Sequence, residues 1–186
     1  MAPAHNYGEQ NNRNHVHNRT HAPIRCMQIN LQHSRTATDN IMNLSEQYRS
    51  HILFIQKPYL CNRKIAAIST KNIIYTSHED KSRADIVINN RNIDAVFVTQ
   101  LSNPDSALLE LEYHGYRFYA ATMYFDITEE IEKGLEKVDQ MMEFTKRNGL
   151  IIAVDSNANS AAWHDFKTNK RGKTMEEFIV TRVYTL

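Results

Sequence analysis

The stretch Leu150-Ile-Ile-Ala-Val154 runs straight into Asp155-Ser-Asn157-Ala-Asn-Ser160-Ala-Ala-Trp163, and its reading decides how the rest of the chain is understood. A short apolar run bounded by polar residues is a buried strand. Here it ends in Asp-x-Asn, which sets a carboxylate and an amide together at the rim of a sheet. A carboxylate can accept a proton or hold a hard cation, and an amide can donate to an anionic oxygen without adding charge. The pair therefore suits phosphate or divalent-metal chemistry. The same residues also make a purely local Asx-turn, so the segment needs support from elsewhere.

That support lies upstream. Asp126-Ile-Thr-Glu129 reads as a capped helix start, carried on by Ile131, Leu135, Val138, Met142 and Thr145 to a carboxyl-terminal cap at Asn148-Gly149. Before it, residues 73–75, 84–88, 95–101, 107–113 and 117–124 read as strands joined by short links rich in Asn, Asp, Ser, Pro and Gly, an antiparallel meander. The ordered part opens with a strand from Ile24 that ends at Asn30. A helix over 37–49 follows, with caps at Thr38 and Asp39, and then a buried strand, His51 to Ile55, that stops at Gln56-Lys57-Pro58-Tyr59. This β-α-β opening predicts a crossover whose two strands end on the same side. After Asn157, a loop carries Lys167, Lys170 and Arg171, and a last helix spans about 173–183. Two helix-covered sheets packed as an α/β (α+β) sandwich fit this order. Asn30, Lys57, Tyr124 and Asp155 then all fall at strand ends on one edge of a sheet, which favours a shared cleft over separate turns.

Composition narrows the partners. The 186 residues suffice for one buried core, and a formal net charge of +1 gives no global case for nucleic-acid binding, so any basic surface is local. No apolar run approaches bilayer length, and no basic-then-apolar leader opens the chain, so no membrane partner and an intracellular location are expected. Cys26 and Cys61 form no disulfide framework and suit a reducing compartment. Residues 1–23, with His5, His15, His17 and His21 among many Asn, read as an inert disordered tail whose histidine spacing fits no closed metal site. Nothing in the sequence indicates an oligomeric state or a small-molecule cofactor.

Several blocks in order carry a resemblance: Asn30, Phe54-Ile-Gln-Lys57-Pro58-Tyr59, Arg83-Ala-Asp-Ile-Val-Ile88, Tyr124-Phe125, Asp155-Ser-Asn157 and Arg171-Gly172 with Glu176-Glu177-Phe178. Residues 24 to 184 resemble the apurinic/apyrimidinic-type endonuclease domain of arthropod non-LTR retrotransposons, within the deoxyribonuclease I-like endonuclease/exonuclease/phosphatase superfamily. The resemblance implies Mg²⁺-assisted nicking of DNA, and a nuclear location. It places Asn30 beside the metal and the phosphate, gives Tyr124 a hydrogen bond to a phosphate oxygen, and makes Asp155 the group that orients and deprotonates the attacking water. Asn157 would support the transition state. Ser160 and Trp163 match a DNA-facing loop, where Trp163 either stacks on the nucleic acid or anchors the loop. Lys167, Lys170 and Arg171 contact phosphates or are simply solvated.

The chain departs from that pattern at Lys57, where the family has the glutamate that is its principal metal ligand. An ammonium offers three donors and no lone pair, so Mg²⁺ binding is expected to be weakened or lost. The chain also stops before the family's later Asp and terminal Asp-His pair, so the sandwich is expected to be incomplete at its carboxyl end. The readings that follow are a DNA endonuclease impaired in catalysis, a DNA-binding module in which Lys57 replaces the metal, and a phosphoesterase of another branch of the superfamily.

Overall fold

The computed structural model describes residues 23–66, 68, 72–78, 80–146 and 148–183. The expected disordered tail therefore lies almost wholly outside the described residues. In chain order the elements are β1 (Cys26–Asn30), α1 (Arg35–Tyr48), β2 (Ile52–Gln56), β3 (Leu60–Cys61), β4 (Lys64–Ile65), β5 (Ile73–Tyr75), β6 (Ala84–Ile88), β7 (Ile93–Phe97), β8 (Ser106–Tyr113), β9 (Tyr116–Tyr124), α2 (Ile131–Thr145), β10 (Gly149–Asp155) and α3 (Lys170–Val183). Short 3₁₀ turns occupy Thr99–Leu101 and Ala161–Trp163.

Two four-stranded sheets, ordered β1-β2-β6-β5 and β10-β9-β8-β7, form the predicted sandwich. Ile52, Phe54, Ile86 and Ile88 of the first meet Leu109, Leu111, Ala120 and Ala153 of the second in the core between them. On the outer faces, Leu53, Ile55 and Val87 pack against Ile41 of α1, while Leu108, Ala121 and Met123 pack against Ile131, Leu135 and Val138 of α2. β2 and β6 are buried on both faces and mainly apolar, as strands inside a layered α/β fold are, with Gln56 ending β2 and Asp85 interrupting β6.

The same construction occurs twice. β1-α1-β2 and β9-α2-β10 are crossovers whose strands pair in parallel at one edge of their sheet. The expected single meander is thereby corrected. β5 and β6 hydrogen-bond within the first sheet and β7, β8 and β9 within the second, so the chain changes sheets at Asn89–Asn92.

Three boundaries also differ from expectation. Helix α1 is capped by Ser34, whose hydroxyl accepts from Ala37 N–H at 3.2 Å. Thr38 is instead buried, donating to Ser34 O at 2.8 Å and accepting from Tyr59 N–H at 3.1 Å. Asp126 does not start α2: its Oδ1 accepts from the Thr128 N–H and hydroxyl, making an Asx-turn before the helix begins at Ile131. Its other oxygen is held by Arg83, which keeps it at the strand end. Gly149 caps nothing, being the first residue of β10 opposite Phe118.

Candidate active site

Strand register brings the site together. Asn30 at the end of β1 lies opposite Gln56 at the end of β2, and Asp155 at the end of β10 lies opposite Tyr124 at the end of β9. All four are carboxyl-terminal residues of the two parallel pairs, where open α/β sheets gather their functional groups. These strand ends meet, but they belong to two sheets and not to one, which corrects the expected placement. The residue that bridges them is Asn30, whose Nδ2 donates to Asp155 Oδ2 at 2.5 Å. Its Oδ1 accepts from Gln32 N–H at 2.8 Å. Phe125 N–H donates to Asp155 O at 2.8 Å, and Asn157, in a left-handed turn at φ 48°, donates from Nδ2 to Phe125 O at 2.8 Å.

Lys57 enters from the first sheet. Its N–H donates to Arg83 O at 2.9 Å and its carbonyl accepts from His33 N–H at 2.8 Å, fixing a left-handed backbone at φ 47°. From there the ammonium reaches 4.4 Å from the centroid of the Tyr124 ring. Arg83 Cζ lies 4.9 Å from the same centroid. Arg83 also donates from Nε and Nη2 to Asp105 and from Nη1 to Asp126, and these carboxylates raise its pKa above the ordinary arginine value. Asp126 is held well below the usual carboxylate range by the Thr128 N–H and hydroxyl and by Arg83.

Arg83 is the residue sequence reasoning passed over. It was legible as part of a block, without a role. The available signal was an arginine directly before a wholly buried strand, with Asp105 inside one turn and Asp126 opening another.

The loop after the site is braced from within. Ser160 is fully buried, with its hydroxyl accepting from Ala162 N–H at 2.9 Å and donating to Glu176. It is therefore a loop fastener, which corrects the expectation that it faces DNA. Trp163 is half-buried and donates from Nε1 to Ala158 O at 2.9 Å, the anchoring alternative. Lys170 and Arg171 sit in the first turn of α3, not in a loop. Arg171 donates to Glu129 O at 2.5 Å and to Ser156 O at 3.0 Å, tying α3 to the site loop. Lys167 and Lys170 are exposed and available to an anion.

A hollow of about 200 Å³ lies beside Tyr124 under the start of α2. Asp105, Asp126, Glu129, Glu130 and Glu136 line it against Lys133 and Lys137, which makes it a poor seat for a phosphate. The Lys57 side of Tyr124 is the better one.

A divalent metal is a poor match to this donor set. Mg²⁺ takes hard oxygens, yet Asn30 Oδ1 already accepts a backbone N–H, Asp155 is the only carboxylate joined to Asn30 among the described residues, and the neighbouring strand end presents an ammonium. Among the described residues no group of three His, Cys, Asp or Glu side chains is placed to hold a metal ion. Among the described residues, too, no helix is long and apolar enough to cross a membrane.

Two crossover pairs, face-to-face sheets and outer helices define the deoxyribonuclease I-like fold of endonuclease/exonuclease/phosphatase proteins. The endonuclease domain of TRAS1, a telomere-specific non-LTR retrotransposon, shares it with a TM-score of 0.74 at 21% identity, over 86% of this chain and 70% of that domain. D. rerio TDP2 complexed with a single-strand DNA product superposes at a TM-score of 0.55 and 12% identity, over 74% of this chain and 62% of that one. An endonuclease/exonuclease/phosphatase family protein from Bacteroides thetaiotaomicron gives 0.51 and 14%, over 67% and 54%. The chain thus spans less than two thirds of the latter two. No family model matches the sequence, and no curated protein does.

Proposed function

We propose that this chain is an endonuclease-type domain of non-LTR retrotransposon origin whose site engages a DNA phosphodiester, and that Lys57 impairs its metal-dependent nicking. The observation that carries this reading is the bond from Asn30 Nδ2 to Asp155 Oδ2, which unites the two sheets at the edge where Tyr124 and Asn157 also stand. In this reading Tyr124 hydrogen-bonds a phosphate oxygen, Asp155 orients and deprotonates water, and Asn157 donates to the charge that builds on the phosphate. Lys167 and Lys170 supply phosphate contacts farther along the strand, and the expected location is the nucleus. The likeness in fold to the TRAS1 domain supports the retroelement assignment.

A bound Mg²⁺ would contribute several kcal/mol of charge stabilisation to phosphodiester cleavage. Without it the rate falls by roughly a hundredfold or more, since about 1.4 kcal/mol is a factor of ten. The test is nicking of supercoiled plasmid in Mg²⁺ by the folded chain beside Asp155→Ala and Lys57→Glu. Expected is DNA binding with no nicking above the Asp155→Ala background. Efficient nicking that vanishes in Asp155→Ala would refute the impairment, and absence of any DNA binding would refute the DNA assignment.

A further inference from the structure

The donor set that disfavours a divalent metal suits another ligand. We propose that the site binds a DNA phosphodiester with no divalent metal, the Lys57 ammonium supplying the positive charge a metal would otherwise bring. The proposal rests on the DNA reading above and adds the means of anion recognition.

Charge balance is the first argument. Lys57 and Arg83 lie against the Tyr124 ring, Arg83 holds Asp105 and Asp126, and Asp155 pairs with Tyr124 in register, so these five groups have a formal balance of one negative charge. With a carboxylate at position 57 the same five groups would carry three negative charges, and one divalent cation would return them to one. Lysine reaches that balance alone. By this formal count the five groups reach, without a metal, the charge that a glutamate-bearing version would have with one.

Availability is the second argument. Arg83 is engaged by two carboxylates. Among the described residues Lys57 has no carboxylate partner, and its ammonium lies over the face of Tyr124, 4.4 Å from the ring centroid. A cation over an aromatic face keeps its N–H groups free on the other side, and an ammonium has three donors to offer.

Preorganisation is the third. Both backbone groups of Lys57 are hydrogen-bonded, to Arg83 O and from His33 N–H, in a half-buried left-handed turn. The stem is thus aimed from a fixed base, and little order has to be gained when the anion arrives.

The experiment measures binding of a fluorescent DNA duplex to the full chain by anisotropy, in EDTA and in Mg²⁺, for the wild type, Lys57→Gln and Lys57→Glu. Circular dichroism melts of each variant confirm folding. The wild type is expected to bind equally in both buffers. Lys57→Gln should bind at least about tenfold more weakly, the scale of one charge-assisted hydrogen bond, and its salt dependence should flatten by about 0.9 in log–log slope. Lys57→Glu should bind poorly in EDTA and recover in Mg²⁺, because the carboxylate restores a demand for the cation. Wild-type binding that collapses in EDTA overturns the proposal. So does a Lys57→Gln variant that binds like the wild type; DNA contact would then run through Lys167 and Lys170, and the DNA reading would survive. Inorganic phosphate, followed by the NMR shift of the Lys57 side chain, separates the remaining case. A Lys57 response to phosphate without duplex binding sinks the DNA reading and leaves Lys57 as a metal-free anion anchor.

Discussion

Gln56 Nε2 donates to Thr122 Oγ1 at 2.8 Å, and both side chains are wholly buried between the two sheets. Gln56 directly precedes Lys57 and Thr122 lies two residues before Tyr124, so this bond ties the sheets together just beneath the cleft. Gln56 Oε1 has no hydrogen-bond partner among the described residues. Losing one member of a buried pair strands the other, whereas losing both leaves an apolar seam. Thr122→Val is therefore expected to cost about 1–3 kcal/mol. The double variant Gln56→Leu with Thr122→Val should recover most of it. Urea unfolding of the cycle checks this, and additive losses would show that the bond does not couple the sheets.

Gly172 tests how the site loop is mounted on α3. On helix propensity alone, alanine inside a helix should stabilise by about 1 kcal/mol. A methyl group here, however, would fall well inside contact distance of the Asn159 carbonyl. That carbonyl accepts from Asn169 N–H at 3.0 Å, and Asn169 Oδ1 in turn accepts from Gly172 N–H at 2.7 Å. Because the obstruction is backbone, it has no flexible side chain to yield. Gly172→Ala should lower the melting temperature and loosen the 156–169 loop, read as faster amide exchange there. A higher melting temperature would mean that the loop moves aside at little cost.

Arg83 couples three parts of the site through one planar group. Its guanidinium spans Asp105 and Asp126 while lying against Tyr124. Lysine keeps the charge but cannot make the fork, so Arg83→Lys is not a conservative change here. After allowance for side chains about one-third exposed, the expected cost is about 1–2 kcal/mol of stability. The more telling readout is position: Tyr124 ring resonances should shift and broaden in the variant. An unchanged Tyr124 spectrum would reduce Arg83 to an ordinary ion pair.

The sandwich was legible because its parts announce themselves locally. The apolar runs of β2, β6 and β10 and the polar residues at the ends of β1, β2, β9 and β10 need no knowledge of what they touch. The division of the central strands between two sheets was not legible, since β6 and β7 are separated by a four-residue link, short enough for a hairpin. Ser160 was misread for a similar reason: a serine in a loop looks exposed until the partner that buries it, Glu176, is brought back by α3. Arg83 was passed over because its partners, Asp105 and Asp126, lie in other turns. The placement of Asn30, Lys57, Tyr124 and Asp155 was legible from strand ends, but the bond across the two sheets followed only from register.

Asp85 gives the fold an unusual response to pH. Its side chain is fully buried in β6, Ser82 donates to Oδ1 at 2.6 Å, and Oδ2 has no hydrogen-bond partner among the described residues. Burial pushes its carboxyl up from 3.8 to about 6, against the lowering effect of hydrogen bonds from Ser82 and Thr76. The folded state therefore holds a proton between about pH 4 and 6 that the unfolded chain has released, and stability rises as pH falls through that window. Two pKa units correspond to roughly 3 kcal/mol. Asp126 acts in the opposite sense, because its depressed pKa contributes stability that is lost only as the pH drops below about 4, the ordinary carboxylate range. Stability should thus be greatest near pH 4–5 and decline toward neutrality. Urea midpoints measured from pH 3 to 8 test this, with Asp85→Asn expected to flatten the limb above pH 4. A wild-type midpoint that climbs from pH 4 to 7, or an equally sloped limb in Asp85→Asn, would place the titration in another group.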